Sequence, residues 1–446
     1  MESVARRVRV SATLATLGVV LLALLPHPAQ SQDFPKPERR KVADMLSGVR
    51  KEIADDYYDS TFKGLNLSAV YDSAADRIAS ASALDMALSA VAWMTLEFHD
   101  SHTFFVPPQQ TTGVDYGWTM AMIGDSCFVM RVTPKSDAEA HGVHAGDRVL
   151  SFNGYKPTRE NLWQLEYIYH VLRPQRNLRV VLQPPGGEAR DFDLAAKVKQ
   201  RPRIMDVTGA DGGRDIGQLI RDEQKSEAEM KSRYVDYLDK VVVWKLPEFF
   251  VGRDEIRDVI KHARYRKSLV LDLRGDGGGA EQCLLEIIRE LNKDSVAIGT
   301  LKERRKQTPF VAKGSGKDAF DGQLFVLVDS RSASASEIFA RVVQLTNRGR
   351  VLGDRTMGAV MRSRLHVRSL GMETTILYGV SVTEADVIMA DGGRLENVGV
   401  VPDEIILPTG ADLAAGRDEV LARALTLAGA PTDAAKAGWL FADTNH

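Results

Sequence analysis

Two turns rich in glycine and serine carry the residue types that could do chemistry in this chain. The first, residues 271–279 (LDLRGDGGG), follows an apolar run and has glycine at four of its last five positions. Such a loop exposes backbone N–H groups that can hold an anion or an oxyanion. It is not a P-loop, because the Gly-Lys-Ser/Thr ending is missing. An oxyanion site and a merely tight turn are the interpretations that remain.

The second turn joins an apolar run to a helical pattern at residues 329–340 (DSRSASASEIFA). Either Ser332 or Ser334 could simply cap the helix that follows. A serine at that helix start could also act as a nucleophile, because the positive end of the helix dipole and free N–H groups favour a developing oxyanion. A serine hydroxyl is a poor nucleophile by itself, so this second interpretation requires a base elsewhere in the chain.

Four motifs together resemble the C-terminal-processing/tricorn family of serine peptidases: SASASEIFA, LDLRGDGGG, GDRTMGA and ENVGVVPD. The resemblance extends over nearly all of the chain after residue 31. It implies that Ser334 is the nucleophile. It also implies an oxyanion hole formed by the backbone N–H groups of Gly278 and Ala335, with Gly277 as the near alternative to Gly278.

The base differs from the lysine of the family's Ser–Lys members. Those members place a lysine after the serine in a Gly-Lys-Gly-like context, whereas residues 358–360 of this chain read Gly-Ala-Val, and alanine cannot accept a proton. The tricorn branch instead uses a Ser-His pair from the N-terminal part and a glutamate late in the core. Residues 100–103 (DSHT) and 395–403 (LENVGVVPD) are similar to those two signatures.

The resemblance to the tricorn branch therefore implies a three-residue relay that activates the serine. His102 is the general base, Glu396 orients the imidazole and stabilises the imidazolium, and Ser101 hydrogen-bonds within the relay. A neighbouring acid, Asp391 or Asp403, could take the place of Glu396.

Hydrophobic patterns indicate the elements that must position these residues, and the fold class they predict is multidomain α+β. The stretch AEAHGVHAGDRVLSFNG resembles PDZ domains, which bind extended chain ends by strand addition; a β-rich spacer is the alternative. The resemblance to the peptidase family implies an α/β layered core of the crotonase/ClpP-like type. The predicted organisation, in chain order, is a signal peptide (1–31), an N-terminal helical domain (32–110), a PDZ-like domain (111–198), a connector (199–238), the peptidase core (239–410) and a helical tail (411–446).

The first residues of the chain, its charge and its cysteine content indicate where the protein works and which partners it can bind. A positive start, an apolar run too short to span a bilayer and small residues near Ser31 predict a cleaved signal peptide, hence export and no stable membrane insertion afterwards. With 58 Lys+Arg against 60 Asp+Glu, nothing favours a nucleic-acid partner. Cys127 and Cys283 are predicted to be buried free thiols. His99 and His102 have no further group at ligand spacing, so no metal or cofactor is predicted.

These observations predict an exported serine endopeptidase, periplasmic or secreted, that acts on protein or peptide substrates. Its PDZ-like module would dock them, possibly by their C-termini. Two alternatives from other classes remain. One is a catalytically inactive relative that binds apolar ligands or peptides on the same fold, and the other is a PDZ-dominated scaffold.

Overall fold

The computed structural model describes residues 34–108, 112–200, 231–371 and 376–441. Its α-helices are α1 (Lys36–Asp56), α2 (Leu67–Ser80), α3 (Leu84–Leu96), α4 (Asp137–Ala140), α5 (Leu162–Glu166), α6 (Arg253–Ala263), α7 (Glu281–Leu291), α8 (Ala335–Leu345), α9 (Gly410–Ala414), α10 (Glu419–Leu427) and α11 (Ala434–Trp439). Its strands are β1 (Phe104–Val106), β2 (Thr112–Asp115), β3 (Trp118–Ile123), β4 (Ser126–Val132), β5 (Arg148–Phe152), β6 (Asn177–Gln183), β7 (Arg190–Ala195), β8 (Lys197–Gln200), β9 (Arg233–Tyr237), β10 (Val241–Lys245), β11 (Ser268–Asp272), β12 (Val296–Glu303), β13 (Gln307–Ala312), β14 (Gln323–Val328), β15 (Arg350–Gly353), β16 (Met361–Leu370), β17 (Ile376–Met389) and β18 (Glu404–Ile405). The predicted α+β multidomain architecture is confirmed. The predicted signal peptide lies outside the described residues.

The N-terminal helices pack on the core through one apolar stripe. Within the predicted helical domain, α1 buries apolar positions spaced at helical intervals: Val42, Met45, Leu46, Val49 and Ile53. That stripe shares a hydrophobic cluster with β17. Strand β1 then pairs antiparallel with β17. The loop between α3 and β1, which carries His102, is therefore held between a helix and a core sheet. No helix among the described residues is both long and apolar enough to cross a bilayer.

Five strands of the PDZ-like region (residues 111–198) form one antiparallel sheet in the order β3-β4-β5-β6-β7. A separate two-stranded ribbon, β2 with β8, joins the two ends of this module. Cys127 and Cys283 are both buried and free, as predicted. Strand β3 is an edge strand, and its Met122 carbonyl accepts the Ser330 hydroxyl at 2.6 Å. The module thus touches the core at the serine-rich turn.

The core is built on two sheets with helices between and outside them. The larger sheet has the order β18-β15-β14-β11-β10-β9 and is parallel except for β9. Strand β11 is buried at all five positions, because α6, α7 and α8 cover one face of the sheet and α10 and α11 cover the other. The smaller sheet contains β1, β12, β13, β16 and β17. Strand β9 lies inside the predicted connector, whose residues 201–230 are outside the described part.

The parallel pairing of β11 with β14 decides where the two turns meet. The glycine-rich loop leaves the carboxyl end of β11 and the serine-rich turn leaves the carboxyl end of β14. Because both strands run in the same direction, both turns emerge at one edge of the sheet, where α/β proteins commonly hold their ligands.

We predict that Arg274→Met lowers the free energy of unfolding by about 3 to 5 kcal/mol. Arg274 donates to Asp272 and to Asp418 at 2.7–2.8 Å, and Asp272 is almost fully buried, so the substitution leaves a buried carboxylate without its partner. Chemical denaturation followed by tryptophan fluorescence measures the change. Arg179→Met, which removes an exposed ion pair with Asp191, is the control and should have far less effect. Equal losses in the two variants would contradict the prediction.

Candidate active site

The serine-rich turn leaves one of its serines at the start of a long helix with its side chain half-buried. Ser334 is the residue before α8 and has a φ of 56°, in the left-handed region that non-glycine residues rarely adopt. The neighbouring hydroxyls donate to carbonyls instead: Ser330 to Met122, Ser332 to Leu273 and Ser336 to Asp276. Those three serines hold the turn together, and the turn presents Ser334.

The glycine-rich loop lies directly against Ser334. A Cβ atom at Gly278, which has a φ of 99°, would stand 2.6 Å from Ser334 Cβ and 3.1 Å from Ala335 N. Only glycine fits this approach. Ala335 is the first residue of α8, and N–H groups of a first helical turn have no partner within the helix. The backbone of Gly278 thus meets that of Ala335 beside Ser334.

The Gly278 N–H is occupied in this structure. It donates to Asp276 Oδ1 at 2.7 Å, while Asp276 Oδ2 is buried without a hydrogen-bond partner. Asp276 is fully buried, and burial raises its pKa from 3.8 to about 8. The alternative donor, Gly277, is exposed, and a Cβ there would meet open space.

We predict that Asp276→Asn becomes more stable relative to the wild type as the pH rises from 5 to 8. A carboxyl group whose folded pKa is raised contributes stability at low pH, and that contribution is lost as the pH rises through the folded value of about 8. Asparagine keeps an acceptor for Gly278 and cannot ionise. Melting temperatures of both proteins between pH 5 and pH 8 measure this, and a constant difference across the range would contradict it.

Glu396 of the predicted relay comes to Ser101 and His102 although it lies 295 positions after Ser101 in the chain. Ser101 donates its hydroxyl to Glu396 Oε2 at 2.8 Å and its backbone N–H to Glu396 Oε1 at 2.8 Å. His102 Nδ1 lies 2.7 Å from Ser101 Oγ. The single hydroxyl hydrogen of Ser101 goes to the carboxylate, so Nδ1–H of the imidazole is the donor to Ser101. The other ring nitrogen, Nε2, then carries a lone pair.

A short segment at residues 358–360 joins this relay to the serine. Ser334 donates its backbone N–H to Ala359 O at 2.8 Å. The next residue, Val360, donates its N–H to Glu396 Oε2 at 2.7 Å. Ala359, where the Ser–Lys members have lysine, therefore contacts Ser334 through its backbone. Within the described residues, His102 and Ser334 are not hydrogen-bonded to each other.

Burial sets the electrostatics of the relay. It lowers the pKa of His102, and the charge of Asp100 opposes that shift. Burial also raises the pKa of Glu396, while hydrogen bonds from Ser101 and Val360 act in the opposite direction. A lowered pKa keeps the imidazole neutral, and therefore basic, at the pH where most proteins work.

The alternative acids are engaged away from the imidazole. Asp391 contacts Arg341, and Asp403 accepts hydrogen bonds from Val351 N and Gln344. His99 is exposed. The three metal-capable groups that cluster in the described part of the chain lie between α1 and β16 and include none of the predicted site residues.

Glu337 is a buried residue of the site that the sequence analysis did not single out. Its carboxylate accepts the backbone N–H groups of Ser334, Gly358 and Ala359 and the hydroxyl of Thr356. Burial raises its pKa from 4.5 to about 7. The signal for it was available, because a serine followed three residues later by glutamate is the pattern of a capping box.

Comparison with known proteins identifies the core. Residues 240–406 match the model of Peptidase family S41. This segment is a peptidase family S41 domain. The resemblance to C-terminal-processing serine peptidases, inferred from the motifs, is confirmed. The S41 domain contains Ser334, Glu396 and the glycine-rich loop, whereas the His102 loop lies outside the matched segment.

The relatives include two processing proteases that differ in how much of their own length this chain matches. The carboxyl-terminal-processing protease of Picosynechococcus sp. is 24% identical over 411 residues, which cover 90% of this chain and 90% of that protein. The tail-specific protease of Haemophilus influenzae is 24% identical over 327 residues, 68% of this chain but 43% of that protein. This chain therefore spans less than half the length of the second relative.

Solved structures support the fold. The crystal structure of mature CPAF superposes with a TM-score of 0.62 at 13% identity, covering 85% of this chain and 94% of that chain. At this identity the likeness establishes the shared fold alone, because one fold can carry different functions.

Proposed function

We propose that the protein is an exported serine endopeptidase that cleaves protein or peptide substrates through Ser334, His102 and Glu396. The observation that carries the proposal is the Glu396–Ser101–His102 chain of hydrogen bonds, which leaves Nε2 of the imidazole as a base. The 358–360 segment links this chain to the Ser334 turn. Membership of the core in a family of serine peptidases supports the same chemistry.

The proposed reaction assigns each group one task. Ser334 Oγ attacks the carbonyl carbon of the scissile bond while His102 Nε2 takes its proton, and Ser101 and Glu396 stabilise the imidazolium. The amine leaves with that proton, and water then hydrolyses the acyl-enzyme. Catalytic hydrogen bonds often shorten only when substrate binds, so the Ser334–His102 contact belongs to the bound state.

The oxyanion of the tetrahedral intermediate would be held by backbone N–H groups. Ala335 supplies one at the start of α8, where the helix dipole favours negative charge. Gly278 supplies the second once its N–H leaves Asp276. A transition-state oxyanion is a stronger acceptor than a neutral carboxyl group, which favours that exchange.

We further propose that the PDZ-like module docks an extended segment of the substrate. The position of β3 at the edge of its sheet supports this, because edge strands pair with incoming chains. The hydrogen bond from Ser330 to Met122 of that strand brings the edge within four residues of Ser334. A chain end added to β3 would thus lead toward the nucleophile. The predicted signal peptide supports export of the protein.

The test is cleavage of unfolded casein by the chain from Gln32 onward, with product termini identified by mass spectrometry. The wild type should cleave, and Ser334→Ala should not. Ser80→Ala is the control, because the exposed Ser80 hydroxyl donates to carbonyls of its own helix, α2. A fluorophosphonate should add its phosphonyl group to Ser334 in the wild type. Absence of both cleavage and labelling across several substrates would favour the ligand-binding alternative.

A further inference from the structure

A buried carboxylate lies beside the relay without a part in the steps proposed above. Asp100 precedes Ser101 in the loop between α3 and β1, and its side chain is 0% exposed. A buried carboxylate is costly unless its oxygens are hydrogen-bonded, so its partners show what it holds in place.

Five hydrogen bonds end on this carboxylate. Oδ1 accepts from the backbone N–H groups of His102 (3.1 Å) and Thr103 (2.7 Å) and from the hydroxyl of Thr383 (2.9 Å). Oδ2 accepts from the hydroxyls of Tyr57 (2.8 Å) and Thr103 (3.2 Å). Every partner donates. A protonated acid would need an acceptor for its own O–H, so the arrangement is that of an ionised carboxylate.

These hydrogen-bond partners connect the loop between α3 and β1, which carries His102, to a helix on one side and to a sheet on the other. Tyr57 ends α1 and Thr383 lies in the middle of β17, and both are buried. Asp100 is thus the point at which the backbone of His102 is fixed to a helix and to a sheet. It also places a negative charge close to the imidazole, opposing the effect of burial on His102.

We propose that Asp100 is a positioning residue for the relay: it fixes the backbone of His102 and stabilises the imidazolium that forms when Ser334 gives up its proton. This inference rests on the proposed function.

The charges around His102 allow a test with two opposite signs. Among the described residues, the charged groups connected to His102 are Asp100 on its own loop and Glu396 through Ser101. Lys63 lies on the other side of Asp100, with its Nζ 3.9 Å from Asp100 Oδ2. Removing the negative charge of Asp100 should lower the pKa of His102. Removing the positive charge of Lys63 should raise it, because Asp100 then acts unopposed.

The first experiment is an NMR titration of the His102 ring, assigned by comparison with His102→Ala, in full-length mature protein. Asp100→Asn should move the His102 pKa down by about one unit, and Lys63→Gln should move it up by a smaller amount. The control is Asp147→Asn, another buried turn carboxylate, which accepts His144 N–H in the PDZ-like module and should leave His102 unchanged. A merely structural role would not produce opposite shifts.

The second experiment measures the rate at which a fluorophosphonate modifies Ser334. The Ser334 Oγ–phosphorus bond forms, fluoride leaves and His102 takes the proton. Asp100→Asn should slow this step by about 10- to 100-fold at its optimum, and the acid limb of the pH profile should move to lower pH. Tyr57→Phe keeps the charge and removes one hydrogen bond, so it should slow the step without moving the limb.

An unchanged His102 titration in Asp100→Asn would overturn the inference. If that variant does not fold, Lys63→Gln decides alone, and the absence of an upward shift overturns it. Failure of the proposed function looks different, because the wild type would then not react with the fluorophosphonate at all, while the titration would still report on Asp100.

Discussion

Replacing His102 by alanine should reduce kcat by about 10⁵-fold or more while leaving the fold intact. The loss is large because Ser334 then has no group to take its proton, and residues that act as one unit lose nearly everything when one is removed. His102 is partly exposed, so the truncation leaves no large cavity. Single-turnover cleavage of a peptide found in the casein digest measures the change.

The matched control is His99→Asn in the same loop. His99 is exposed and has a φ of 47°, a conformation that asparagine tolerates, so this variant should keep wild-type activity.

The wild type should also show the titration of a base in its pH profile. Because burial lowers the pKa of His102 below its usual 6.5, the acid limb of kcat/KM should lie below pH 6.5. Activity that survives in His102→Ala would remove His102 from the mechanism.

Glu337→Gln should lower kcat by about 100-fold with a much smaller change in KM. Four donors converge on the two carboxylate oxygens, so either orientation of an amide would turn its NH₂ group toward an N–H or O–H donor. The conflict displaces Ser334 or the 358–360 segment. That segment carries the Val360 N–H that donates to Glu396. A shift of the segment would therefore move Ser334 and the Glu396–Ser101–His102 relay out of their mutual alignment.

The control for Glu337 is Glu290→Gln on α7. Glu290 is also buried, but it pairs with arginines, including Arg257 and Arg264, and not with the 358–360 segment. Its loss should lower the melting temperature without changing kcat. If both variants lose stability and neither loses kcat, Glu337 holds the fold and not the geometry of the nucleophile.

Periodicity in the sequence predicted the elements that pack with a regular face. The apolar spacing in α1 and the continuous apolar run of β11 both correspond to buried faces, because burial imposes that spacing. Strand β9 was missed. It lies at the edge of its sheet, where half-exposed positions need not be apolar, so its Arg233–Tyr237 sequence resembles a polar connector.

Motifs indicated several of the residues that the fold brings together, but not all of their contacts. Motifs indicated Ser334, His102 and Glu396, yet the hydrogen bond from Gly278 to Asp276 depends on the conformation of one loop. The complete set of hydrogen-bond donors to Glu337 also could not be predicted from the local sequence pattern. Ser334 is three positions away, whereas Gly358 and Ala359 are brought to the carboxylate by the tertiary fold.

The hydrogen bond between Ser101 and Glu396 limits when the relay can form during synthesis and folding of the protein. It spans 295 positions, so nearly the whole chain must be synthesised before the two ends of the relay can meet. Ribosomes synthesise proteins from the N-terminus. During most of translation, the loop that carries His102 therefore exists before Glu396 has been made. On the proposed mechanism, a nascent or incompletely folded chain has a serine but no organised base. The capacity to cut then arises at the end of folding, which protects the chain from its own copies until that point.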